Sequence, residues 1–101
     1  MQITAEELLY SLIDAFSEKK PDEWETRLVA AQSLEISGFE FASGKFSLQR
    51  ELMAVLKKRK GTAVISTGID ISVNNGFLKE LVHFFNTENS VQIKINPENN
   101  I

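Results

Sequence analysis

The chain is 101 residues long, 43% hydrophobic and 25% charged, with no cysteine and a formal charge of −3. That length holds one domain with a core able to fold unaided, and the composition excludes disorder, a disulfide framework and a thiolate zinc site. No apolar run reaches the ~18 residues of a membrane-spanning helix, and the acidic start is unlike a signal peptide, so a cytoplasmic protein without a membrane partner is expected.

Charge is spread unevenly. Residues 1–45 carry a balance of −5, residues 46–60 one of +4 and residues 61–101 one of −2. A single basic run in an acidic chain is the main electrostatic feature.

Thr4-Ala5-Glu6-Glu7 has the spacing of a capping box, and Leu8, Leu9, Leu12, Ile13 and Phe16 follow as one helical stripe. A helix over residues 4–19 is predicted, stopped by Pro21. Pro21-Asp22-Glu23 suits the first turn of a second helix with Trp24, Leu28 and Ala31 inward. The alternative is a partly extended stretch through Arg27-Leu28-Val29-Ala30.

Leu34, Ile36, Phe39 and Phe41 alternate with polar residues and shift phase at Gly38, which predicts a half-exposed strand with a bulge or tight turn. Ser47 caps a helix carrying Leu48, Leu52, Met53, Val55 and Leu56, closed by Lys57-Lys58-Arg59-Lys60 and Gly61. Ala63-Val64-Ile65 has the continuous apolar character of a central, two-sided strand, and Ile69 and Ile71 extend it beyond a break at Gly68. Phe77 to Phe85 is a further amphipathic helix, and Val91, Ile93 and Ile95 alternate as a last strand.

The expected fold is therefore α/β: an N-terminal helix or helix pair, then β-α-β-α-β, with a small, mostly parallel three-stranded sheet packed by helices. Residues 1–96 form the domain and residues 97–101 a frayed tail. Leu12, Phe16, Val64, Ile65, Leu81, Phe84 and Ile93 are expected in one core.

The stretch Thr62-Ala63-Val64-Ile65-Ser66 through Asn74-Asn75-Gly76-Phe77-Leu78 to Val91-Gln92-Ile93 resembles the later part of a STAS-type domain, the fold of anti-sigma-factor antagonists. The likeness spans residues 33–95 and rests on element order and one glycine. It implies a regulatory, partner-binding role. The phosphorylatable serine of that family falls at Asn75 and its acid at Val73, so the phosphorylation switch does not carry over.

Chemistry is sparse. His83 is the only histidine and has no evident orienting group, which favours a helix-surface reading over a general base. Asp22, Glu23 and Glu25 are read as helix-end acids before a cation site. Asp70-x-Ser72-x-Asn74 lacks glycine at the sixth position and an acid at the twelfth, which excludes a calcium loop. Gly38 to Gly44-Lys45 is one residue too long for a phosphate loop, and Phe46 replaces the hydroxyl residue that must follow the lysine. No catalytic residue, metal or cofactor is implied.

What remains is contact. Asp70, Ser72, Asn74, Asn75 and Phe77 fall where a parallel strand's carboxyl end meets a helix, with Phe77 anchoring the segment, and form the expected partner-binding site. Failing that, the exposed face of the first helix around Tyr10 and Asp14 is the next surface. The leading reading is a non-enzymatic interaction or regulatory module with a protein partner, a homodimer included. The alternatives are a weak nucleic-acid or anionic-ligand binder through Lys57, Lys58, Arg59 and Lys60, then a small enzyme without a recognisable motif.

Overall fold

The computed structural model describes residues 1–73 and 75–96. Thr4 organises the start of the chain. Its hydroxyl accepts from the Glu7 N–H at 3.0 Å while the Glu7 carboxylate accepts from the Thr4 N–H at 2.9 Å, and the first helix, α1 (Ala5–Ser17), runs on from this capping box.

The residues just before it form a strand, β1 (Gln2–Thr4), parallel to β2 (Leu34–Ser37). The sheet thus has four strands, where the sequence suggested three. Three residues with one apolar side chain carry no periodicity. Long-range bonds define the strand instead: the Met1 ammonium donates to the Ser33 carbonyl at 2.7 Å, and the Glu35 N–H donates to Met1 O at 2.8 Å.

Residues 21–30 are helical throughout, as α2 (Pro21–Ala30), which removes the extended alternative. Strand β2 stops at Ser37, short of the predicted strand. Gly38 takes a left-handed φ of 63°, and residues Phe39–Ala42 form a 3₁₀ turn. This corner drops Phe39 into the core, where its ring lies 5.6 Å from that of Phe77 and 6.0 Å from that of Phe85.

The chain continues through α3 (Phe46–Lys58), β3 (Ala63–Thr67), a 3₁₀ turn at Ile71–Val73, α4 (Lys79–Thr87) and β4 (Val91–Ile95). Helix α3 starts after Lys45, two residues before the expected Ser47 cap. Ile71 belongs to the turn and does not extend β3.

The sheet order is β1-β2-β3-β4 and every pair is parallel. Each connection steps one strand in the same direction, so right-handed crossovers put all the helices on one face. Side-chain burial agrees. The in-register row Ile3, Ile36, Ile65 and Ile93 faces the helices, buried or half-buried, while the row Gln2, Glu35, Val64 and Gln92 points away. Strand β3 is accordingly one-sided, alternating buried with half-buried residues, and not the two-sided strand its apolar run suggested.

One core lies between helices and sheet, built around Leu8, Trp24, Leu34, Phe39, Leu52 and Leu81. Of the seven residues expected there, Leu12, Ile65, Leu81 and Phe84 are buried and Ile93 packs half-buried against them, whereas Val64 sits in the outward-facing row of the sheet, outside the core. Phe16 is 52% exposed and lies outside it. The single stripe read on α1 divides: Leu8 and Leu12 are buried and Leu9 packs half-buried against the core, whereas Ile13 and Phe16 are exposed near Leu48 of α3. The tail at 97–101 lies outside the described residues.

Candidate interaction surfaces

The loop between β3 and α4 was the site the sequence singled out. Asp70 builds its first turn. The Ser72 hydroxyl donates to the Asp70 carboxylate at 2.6 Å and the Ser72 N–H donates to the same oxygen at 3.0 Å. These bonds hold the Asp70 carboxyl below its ordinary pKa, the hydroxyl contributing most. Ser72 and Asn75 are exposed, and Phe77 is buried against Phe39, so Phe77 anchors the loop and offers no contact surface. Asn74 lies outside the described residues.

Gln49, which sequence reasoning missed, fixes the far side of this loop. Its side chain is fully buried on α3. The amide nitrogen donates to the carbonyls of Ala42 and Gly76, each at 2.8 Å, and the amide oxygen accepts from the Leu78 N–H at 2.8 Å. The Gly44 N–H adds a bond to Gly76 O at 2.8 Å. One glutamine therefore joins the turn after β2 to the start of α4. A polar residue at a helix position between apolar neighbours was the available signal.

Together the loop and α4 frame an open cleft of about 450 Å³, lined by Ser72, Val73, Asn75, Lys79, His83 and Asn86 among others. His83 is exposed on this wall, in keeping with a surface histidine. The cleft mixes amides, a hydroxyl and a cation with valine, suited to a peptide-like contact.

Three bases of the basic run, Lys57, Lys58 and Lys60, face solvent, and the fourth does not. Arg59 is only 7% exposed. Its guanidinium donates to the carbonyls of Leu28 and Ala31 at 2.7 Å each and of Thr62 at 3.1 Å, and its Nε is buried without a hydrogen-bond partner. Burial lowers its pKa from the ordinary value. The cation clamps the carboxyl end of α2, where free carbonyls and the helix dipole favour positive charge. Lys58 pairs with Glu25 at 2.9 Å, and Lys57 lies over the Phe84 ring, 5.9 Å from its centroid. Lys60 is exposed.

The remaining sequence candidates are also placed. Asp22 and Glu23 occupy the first turn of α2, and Glu25 is taken up by Lys58. The stretch from Gly38 to Lys45 holds the 3₁₀ turn, with Lys45 stacked on Phe41 at 4.2 Å. It makes no cradle for a phosphate.

A third surface is apolar. Leu9, Leu12, Ile13 and Phe16 on α1 and Leu48 on α3 line a groove of about 430 Å³, with Ser17, Ser47 and Glu51 completing its walls. Ile13 is 48% and Phe16 52% exposed, with Tyr10 on the adjoining strip of the helix at 55%.

The sequence matches no protein-family model and no curated protein. Solved structures do match. Domain III of the Thermotoga maritima replication initiation protein DnaA superposes with a TM-score of 0.79 at 25% identity, over 98% of this chain and 42% of that one. The fold is similar to that of DnaA domain III. A replication initiator DnaA bound to AMPPCP and single-stranded DNA matches with a TM-score of 0.77 at 15% identity, and a DNA replication initiation factor with 0.77 at 16%. Each covers 95% of this chain, which spans 30% of theirs, so the likeness reaches less than half of any of these chains. These neighbours overturn the STAS resemblance. Strand–loop–helix order is shared by many α/β folds, and one glycine could not distinguish them.

Proposed function

We propose that this chain is a non-catalytic contact module of the replication-initiation class, acting by binding a protein partner. The observation that carries this reading is the DnaA-like fold across 98% of the chain, combined with surfaces built for contact and not for chemistry. The stretch nearest in spacing to a phosphate loop is a 3₁₀ turn whose lysine stacks on Phe41, which supports a role without nucleotide turnover. Among the described residues no group of three or more histidine, aspartate or glutamate side chains is placed to hold a metal. No described helix is long and apolar enough to cross a membrane.

A second reading, single-stranded DNA binding, is favoured by one finding: a structural neighbour is bound to single-stranded DNA. That neighbour strengthens nucleic acid as a partner class for a chain whose net charge alone does not favour it. The route through residues 57–60 is weakened, because Arg59 is buried and Lys58 is paired.

Two titrations separate the readings. Calorimetry of the purified chain against the replication initiator of the same cell should give saturable binding. Anisotropy of a labelled single-stranded oligonucleotide should show weak binding by the chain alone. Tight DNA binding that falls steeply with salt, without initiator binding, would replace the first reading with the second.

A further inference from the structure

We infer that two copies of this chain join edge to edge through β4, antiparallel about a two-fold axis at Ile93. The association is separate from the proposed contact with another protein and uses a surface which that role does not claim.

Strand β4 is last in the sheet order, and among the described residues no strand pairs with its outer edge. The Ala63 N–H donates to Ser90 O and the Asn96 N–H donates to Thr67 O, each at 2.8 Å. With Ala63 to Thr67 in parallel register with Val91 to Ile95, the bonds to β3 fall to Gln92 and Lys94 within the strand. Val91, Ile93 and Ile95 therefore aim their N–H and C=O groups outward. Among the described residues the one bond made there joins the Val91 N–H to Glu88 O, at 3.5 Å. No proline, glycine or bulge blunts this edge, whereas the opposite edge, β1, offers three residues and is the poorer template.

The strand's own sequence selects the occupant. Antiparallel pairing centred on Ile93 sets Val91 opposite Ile95 of the second copy and Gln92 opposite its Lys94, and each outward N–H and C=O meets its complement. Gln92 and Lys94 are exposed on the outer face, so the pairing brings an amide to each ammonium and opposes no like charges. A register centred on Lys94 would oppose two lysines and would need backbone groups already bonded to β3. On the helix-facing side, which Ile95 shares with Ile93, Ile95 is left 47% exposed at the margin of the sheet. The two-fold axis stands perpendicular to the sheet, so both helix layers lie on one face and Ile95 comes to rest beside Val91 and Ile93 of the second copy. Pairing β4 with β1 would be heterologous and build open chains, whereas β4 with β4 closes as a dimer.

The contact is small, so a weak dimer is expected, with a dissociation constant of about 10 μM to 1 mM. Sedimentation of the full chain across that range should show reversible monomer and dimer. Raising the concentration should slow amide exchange at Ile93 and Ile95 far more than at Gln92 and Lys94, which β3 already protects. Ile95→Pro removes an outward N–H but no bond to β3, and should weaken the dimer at least tenfold. Gln92→Lys opposes lysines and should weaken it at least threefold. Gln92→Glu sets a carboxylate against each Lys94 and should tighten it by a similar factor that high salt removes. Melting curves of both Gln92 variants, taken at dilutions where the chain is monomeric, should match the parent, which keeps the test sound if Ile95→Pro fails to fold.

A chain still monomeric at about 1 mM, the weak end of specific association, would overturn the assignment. So would a dimer that responds alike to Gln92→Lys and Gln92→Glu, or assemblies that grow without limit, which would pair β4 with β1. A dimer abolished by combining Ile13→Ser with Phe16→Ser would move the contact to α1.

Discussion

Gln49 concentrates three hydrogen bonds in one buried side chain, and removing it should reveal how much the β3–α4 loop depends on them. An unsatisfied buried donor or acceptor costs about 1–3 kcal/mol, so Gln49→Leu should destabilise the chain by roughly 2–4 kcal/mol in urea denaturation. Amide exchange should rise most at Leu78. Asp70 makes a weaker, pH-dependent case. Its carboxyl is held below its ordinary pKa by Ser72, so the bonded turn is favoured wherever the carboxylate is ionised. Its contribution is present above the unfolded value of about 3.9 and is lost as pH falls through the lower folded value. The Ser72 amide resonance should therefore titrate below pH 4, and Asp70→Asn should abolish that titration without unfolding the chain.

Between elements, Arg59 joins helix to helix. It ties the carboxyl end of α2 to the turn after α3 through three backbone carbonyls, with no carboxylate among its bonded partners. Charged hydrogen bonds of this kind are worth about 1.5–3 kcal/mol each, and the freed carbonyls would stay partly buried. Arg59→Met should thus lower stability by roughly 2–4 kcal/mol with little dependence on salt, since the guanidinium is buried. Changing Lys57, Lys58 and Lys60 together to glutamine should cost about 1 kcal/mol or less, because the Lys58–Glu25 pair is at the surface. Guanidinium chloride would mask the salt effect, so urea melts are the measurement. The sequence placed all four bases in one solvated run. Charge and position could not reveal that Arg59 turns back under α2, because two of its three acceptors, Leu28 and Ala31, lie about thirty residues earlier in the chain.

At the scale of the whole molecule, the one-sided sheet is the dominant feature. Parallel sheets are usually covered on both faces, yet here the outer row is Gln2, Glu35, Val64 and Gln92, with Gln2 donating to Glu35 at 3.0 Å. A polar outer face tolerates water, so the structure behaves as a two-layer sandwich. Gln92→Lys should change stability by about 0.5 kcal/mol or less, whereas Ile36→Ala on the inner face should cost roughly 2–5 kcal/mol by denaturant titration. The helices and the parallel βαβ order were legible in the sequence, since capping boxes, prolines, terminal lysines and 3.6-residue periodicity act within a turn or two of chain. The fourth strand, the Gln49 bridge, the burial of Arg59 and the exposure of Ile13 and Phe16 on α1 were decided only by tertiary structure. Each depends on partners brought together by folding from distant parts of the chain, and no local pattern in the sequence records which face of a helix or strand will find them.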